Sequence, residues 1–135
     1  MKKIVSLFFP VLMACLLCGC RLVRIEEAPR TALDYTVISQ EEIPQEITAL
    51  IQEKKEKEFQ MTYQRGEFLY LLKGYGRQMT GGYSIQIEEL SMSETAVFFK
   101  TRLMGPEEER YGSEPSYPYI VVKMKYLDKP VEFES

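Results

Sequence analysis

The residues able to do chemistry are few and unevenly placed. The chain of 135 residues contains no histidine, and its three cysteines, Cys15, Cys18 and Cys20, crowd into the single stretch CLLCGC. Without histidine there is no Cys–His or Ser–His–Asp catalysis, and the commonest zinc ligand is missing. A Ser–Lys or Thr–Lys dyad would have to draw on Ser84 or Thr80, and the sequence fixes no lysine beside either. Only two aspartates occur, Asp34 and Asp128, and neither belongs to a calcium-loop pattern. The run Glu107–Glu109 reads as a solvated loop rather than a metal site. No metal and no cofactor is expected, and no catalytic residue is assigned.

One loop remains as a candidate. GYGRQMTGG, residues 74–82, lies between two strand-like runs. A phosphate-binding loop needs Gly-Lys-Ser/Thr at the start of a helix, where backbone N–H groups and the lysine meet the phosphates. Here Gly82 leads into Tyr-Ser-Ile-Gln-Ile, a strand pattern, and no lysine follows Lys73 in the segment. Two readings are left for Gly81-Gly82. Glycines supply positive φ or close approach where a chain bends into a strand, and the same absence of side chains suits a loop that meets a partner.

The N-terminus is not part of the domain. Lys2 and Lys3 precede an apolar run, Ile4 to Leu17, that is shorter than the roughly 20 residues needed to span a bilayer and is flanked like a secretory signal. Leu17-Cys18-Gly19-Cys20 resembles the lipobox of bacterial lipoproteins. That resemblance implies a signal peptide over 1–19 and a diacylglyceryl-modified Cys20 as the mature N-terminus, a lipid anchor on the extracytoplasmic face of the cell membrane. Cys15 and Cys18 would be removed, so no disulfide is expected although the compartment permits one. Two acyl chains suffice for stable anchoring, where one is marginal. Residues 20–32, the lipidated Cys and RLVRIEEAPRTA, read as a tether of about 20 Å as a flexible coil. The domain proper is expected over 33–135.

Once Lys2 and Lys3 are removed, 20 acidic side chains outnumber the remaining Lys and Arg and leave a net charge of about −5. That balance argues against nucleic acid as a partner. A domain of this size buries roughly two-thirds of its unfolded surface and needs no staples.

Leu33, Tyr35 and Val37 alternate as a short first strand. Ser39 to Pro44 reads as the start of a helix, carried on by Ile43, Ile47, Leu50 and Ile51 at helical spacing. The helix is expected to be about 14 residues long, with QEKKEKE as its end. Strands follow at 58–63, at the more continuously apolar FLYLLK (68–73), at 83–88, and in TAVFFKTRLM, with Val97, Phe99, Thr101 and Leu103 on one face. YPYIVVKMKY and VEF close the series, Pro118 belonging at a strand start or edge. About seven short strands and one amphipathic helix predict a mainly β, α+β domain, a β-sandwich or partly open barrel.

GYGRQMTGGYSIQIEEL, followed about thirty residues on by YPYIVVKM, resembles the C-terminal domain of the protease-complex subunit PrcB family. The IPQEITALI helix and the GEFLYLL strand also look like that family's arrangement, so the resemblance covers roughly 33–126. Met79 stands where the family usually has Pro. The resemblance implies a non-catalytic module that associates with, and stabilises, a cell-surface protease. Thr80, Gly81, Gly82, Tyr83, Tyr117, Pro118 and Tyr119 are then the partner-binding candidates. Thr80 to Tyr83 also has a weaker likeness to a loop of chagasin-like peptidase inhibitors, from which Gln78, Met79 and Gly81 depart. A structural, solute- or polysaccharide-binding envelope lipoprotein with no protease partner is the rival reading.

Overall fold

The computed structural model describes residues 29–107 and 114–135. Cys20, the tether up to Ala28, Glu108, Glu109 and Tyr111 lie outside the described residues. Eight strands form two four-stranded sheets. They are β1 (Thr31–Ala32), β2 (Thr36–Val37), β3 (Glu58–Arg65), β4 (Phe68–Tyr75), β5 (Ser84–Met92), β6 (Val97–Met104), β7 (Tyr119–Lys125) and β8 (Val131–Glu134). One sheet has the order β1-β5-β6-β8 and the other β2-β7-β4-β3. Every pairing is antiparallel except β6 with β8, which is parallel. The sheets do not close on one another, so the sandwich rather than the barrel is the architecture.

Three expectations are corrected. The single first strand is two: Thr31–Ala32 pairs with β5, and Thr36–Val37 pairs with β7 in the opposite sheet. Leu33 to Tyr35 carry the chain from one sheet to the other, and the fold begins within the stretch read as tether. The helix, α1 (Gln45–Lys54), has ten residues rather than 14. Ile43 precedes Pro44 and is held extended, at φ −68° and ψ 128°, because the proline ring excludes the helical region there. A separate 3-10 turn at Gln40–Glu42 is the result. Of QEKKEKE, Gln52 to Lys54 form the last turn of the helix and the rest does not continue it. The Lys55 N–H closes on Ile51 O, and the carbonyl of Glu56 is taken by the Arg77 N–H at 3.1 Å, which draws the chain into β3.

Two apolar clusters hold these layers together. Leu69, Leu71, Leu90, Val97, Phe99, Val122 and Met124 fill the space between the sheets. Ile47 and Ile51 of α1 cover the other face of the second sheet, over Tyr70, Leu72 and Val121. Because successive strand residues face opposite ways, β4 places Leu69 and Leu71 in one cluster and Tyr70 and Leu72 in the other. A strand buried on both faces has no polar face to show, which is why FLYLL reads as continuously apolar.

The antiparallel register gives the domain two distinct poles. The chain starts at one, with Arg30, the Gly66-Glu67 and Ser93–Ala96 turns and the β7–β8 connection. Arg30 is fixed there, 2.9 Å from Glu89, 3.3 Å from Glu134, and 3.6 Å above the Phe98 ring. Residues 76–83, 105–107 and 114–118 lie at the other pole, across the length of a nine-residue strand, about 30 Å. Among the described residues no helix is long and apolar enough to cross a membrane.

Candidate functional site

The GYGRQMTGG loop leaves β4 and is fastened at once to the chain before β7. Tyr75 N–H donates to the Pro118 carbonyl at 3.0 Å. Gln78 and Ser116 exchange both backbone hydrogen bonds, 2.8 and 3.0 Å, as an isolated antiparallel bridge. The Ser116 hydroxyl donates to the Thr80 carbonyl at 2.7 Å. The Gln78 side-chain amide returns to Tyr75 O at 3.1 Å. Met79, between the two residues that Ser116 holds, is 77% exposed. An apolar side chain in water on a backbone pinned at both flanks adds nothing to the fold.

The glycines divide by cause. Gly76 has φ +76°, and a Cβ there would lie 2.9 Å from the backbone nitrogen of Glu58. Gly82 has φ +87°, a left-handed conformation in which an L side chain is strained. Gly81 has neither reason: its φ is not positive, and a Cβ would meet nothing within 4 Å among the described residues beyond its chain neighbours. The fold uses Gly82 to turn into β5 and leaves the lack of a side chain at Gly81 unexplained.

The tyrosines spread around this pole instead of converging. Tyr83 is half-buried and leans on the end of β6, with Cε1 3.6 Å from where a Cβ on Gly105 would sit. Tyr117 is half-buried with the Lys55 ammonium 4.9 Å over its ring. Tyr119 packs against the α1-side cluster, and its hydroxyl accepts from the Gln40 amide at 2.9 Å. Pro118 stands just before β7, with its carbonyl committed to Tyr75. Thr80 meets the 116–118 segment through its carbonyl, whereas Tyr83 packs toward the end of β6 and Tyr119 toward the α1 side.

Behind the loop the sandwich interior is polar. Lys73 is 3% exposed on the inward parity of Leu69 and Leu71. Its ammonium donates to Glu58 at 2.8 Å and Gln60 at 3.3 Å, and lies 5.0 Å over the Tyr75 ring. Tyr75 in turn spans the two sheets through a 2.6 Å hydroxyl contact with buried Thr101. The ammonium is thus taken up by hydrogen bonds that brace β3, β4 and β6 at the loop pole. Sequence reasoning missed this brace and missed Ser116. The position of Lys73 at core parity was the available signal for the first; nothing in GPEEERYGSEPS marks the second.

The carboxylates are similarly committed. Glu88 is paired with Arg102 at 3.1 Å and Lys100 at 3.7 Å. Glu89 accepts from the Ser91 hydroxyl and from Arg30, which together hold it below the ordinary carboxylate range. Among the described residues no group of three or more His, Cys, Asp or Glu is placed to hold a metal ion.

These features define a class: a two-sheet β module whose helix seals one face and whose functional candidates are backbone-pinned loops at one pole. The family model described as PrcB C-terminal matches residues 69–125, from β4 to β7. This is the family the sequence resembles, and the match contains both halves of its motif, the 74–90 stretch and YPYIVVKM. It begins after α1 and β3, a narrower span than the resemblance read from the sequence. No curated protein and no solved structure matches the chain.

Proposed function

We infer that this protein is a non-catalytic, lipid-anchored binding module that associates with a cell-surface protease and stabilises it. The observation that carries this reading is the PrcB C-terminal match over 69–125, whose two motif halves are joined by the Tyr75–Pro118 hydrogen bond, with the Gln78–Ser116 bridge just before the second. The match supports a protease-complex subunit; the anchor rests on the lipobox-like LCGC. Geometry supports combining the two. A chain attached through Cys20 would enter the domain at the Arg30 pole, which leaves the 76–83 and 114–118 loops, at the opposite pole, clear of the attachment point. Thr80 offers a hydroxyl, Gly81 a close backbone approach, and Tyr83 and Tyr117 flank them as aromatic anchors.

The test is affinity capture with the tagged, full-length protein from detergent-solubilised membranes, with the captured chains identified by mass spectrometry. Recovery of a peptidase is expected. Retention on polysaccharide with no peptidase would contradict the reading and favour an envelope lipoprotein of another kind. Labelling with a fatty-acid analogue examines the anchor separately: the wild-type protein takes label and Cys20→Ala does not.

A further inference from the structure

β5 is covered along only part of its outer edge. β1 pairs with Met92 and Ser91, and the Leu33 N–H closes on the Leu90 carbonyl at 3.0 Å. There the chain departs for the other sheet. Among the described residues no strand pairs with that edge over 84–89. The phase of the ladder shows which groups this leaves open. Val97 donates to Pro130 O, so the odd residues of β6 turn toward β8 and the even ones toward β5. Arg102 and Met104 thus exchange bonds with Gln86 and Ser84. The N–H and C=O groups of Ile85 and Ile87 point out of the sheet, while their half-buried side chains stay on the core-facing parity.

Clefts flank this edge on both sides. One of about 460 Å³ is lined by Leu33, Tyr35 and Ile87 among others, and one of about 670 Å³ by Gly82, Ile85 and Met104 among others. Tyr35 is 41% exposed and Met104 38%, so each cleft presents an apolar side chain beside the open backbone, with Glu88 and Glu89 also at the first and Glu107 at the second. The edge runs directly into Gly82 and Gly81.

We propose that the open edge at Ile85 and Ile87 accepts an extended segment of the partner polypeptide as an added strand, antiparallel to β5 and in line with β1. The proposal deepens the binding role inferred above and rests on it for the identity of the partner. β1 shows what this edge takes, since an extended antiparallel segment of the chain itself already fills its other half. The incoming strand bonds to the outward groups of Ile85 and Ile87, and alternate side chains that face the clefts are apolar. Gly81, with no Cβ, lets the partner backbone pass the loop closely. Main-chain bonding supplies attachment, and the pattern of alternate apolar residues supplies selectivity. Among the described residues β3 also has a long unpaired edge, at the far end of the second sheet from β2.

Two substitutions at one position separate the edge from the side chain. Ile85→Pro removes an N–H that makes no ladder bond and blocks the edge, as proline does where its nitrogen faces solvent. Ile85→Ala loses the same side chain and keeps the N–H. In affinity capture from membranes, Ile85→Pro is expected to reduce partner recovery about tenfold or more, the effect of losing one or two interchain hydrogen bonds. Ile85→Ala is expected to lose only the apolar contact of that side chain and to recover clearly more partner than Ile85→Pro. Equal recovery by both variants, including through docking on β3, overturns strand addition. If the wild-type protein captures a partner that is not a peptidase and only Ile85→Pro loses it, strand addition stands and the protease reading fails. Capture of nothing overturns both. Amide hydrogen exchange gives a reading that survives an unfolded Ile85→Pro. In the purified full chain the Ile85 and Ile87 amides should exchange faster than Gln86, and in the captured complex they should become protected. Protection of both in the chain alone, or its appearance only with rising protein concentration, assigns the edge to this chain itself or to a second copy and overturns the proposal.

Discussion

Glu58 and Lys73 form an ion pair whose two halves should respond in opposite ways to removal. The Lys73 side chain is 4% exposed, while that of Glu58 is 62% exposed. Removing Glu58 leaves an ammonium in the sandwich interior with only the Gln60 oxygen at 3.3 Å and the Tyr75 ring. Breaking a fully buried pair costs 3–5 kcal/mol; with Glu58 largely in solvent and Gln60 still bonding, we expect about 1–2 kcal/mol for Glu58→Ala. Lys73→Met removes the charge and keeps the apolar stem, and the solvated Glu58 carboxylate needs no partner. It should stay within about 1 kcal/mol of the wild-type protein. Urea denaturation at neutral pH decides between them, provided that m is unchanged so that shifts in midpoint report stability. A larger loss for Lys73→Met than for Glu58→Ala would refute the reasoning, since the pair would then contribute through the lysine's own bonds and not through relief of a buried charge.

Gly76→Ala combines a left-handed φ with a clash against the Glu58 backbone and should destabilise the fold by about 2 kcal/mol in urea midpoints. Ser116→Ala deletes the bond to Thr80 O, so a loss of about 1 kcal/mol and faster exchange of the loop amides are expected. Glu89 is held below its unfolded pKa by Ser91 and Arg30, so its contribution is present above the unfolded value and is lost as pH falls through the folded one. Arg30→Ala should therefore lower the urea midpoint modestly at neutral pH and converge with the wild-type protein as pH falls below the ordinary carboxylate range, so that its acid decline is flatter.

Alternation made most of the sheets readable. Val97, Phe99, Thr101 and Leu103 share a face because the strand period is two, and the run at β4 announced a strand buried twice. The split of the first strand was not readable, because two pairs of residues in opposite sheets leave the same local pattern as one short strand. Helix length failed at Ile43-Pro44, where the rule for residues before proline outweighs hydrophobic period. At the candidate site the sequence placed Thr80, Gly81 and Gly82 on a connection and Pro118 at a strand start. It had no means of bringing Ser116 to Thr80, a contact across 36 positions that depends on β4 and β7 being neighbours. Gly81 and Gly82 look identical in sequence, and only the backbone shows that the conformation of Gly82 disfavours a side chain while that of Gly81 does not.

That difference gives the most direct test of the account. Gly81→Ala adds a methyl group where, its chain neighbours aside, none of the described residues lies within 4 Å, so the urea midpoint should match or slightly exceed that of the wild-type protein. If the loop is a contact surface, the methyl intrudes on a close backbone approach and costs about 1–3 kcal/mol of binding, roughly a five- to hundredfold fall in peptidase recovered by affinity capture. Undiminished recovery by a stably folded Gly81→Ala protein would contradict the account and leave the bend as a piece of sheet geometry.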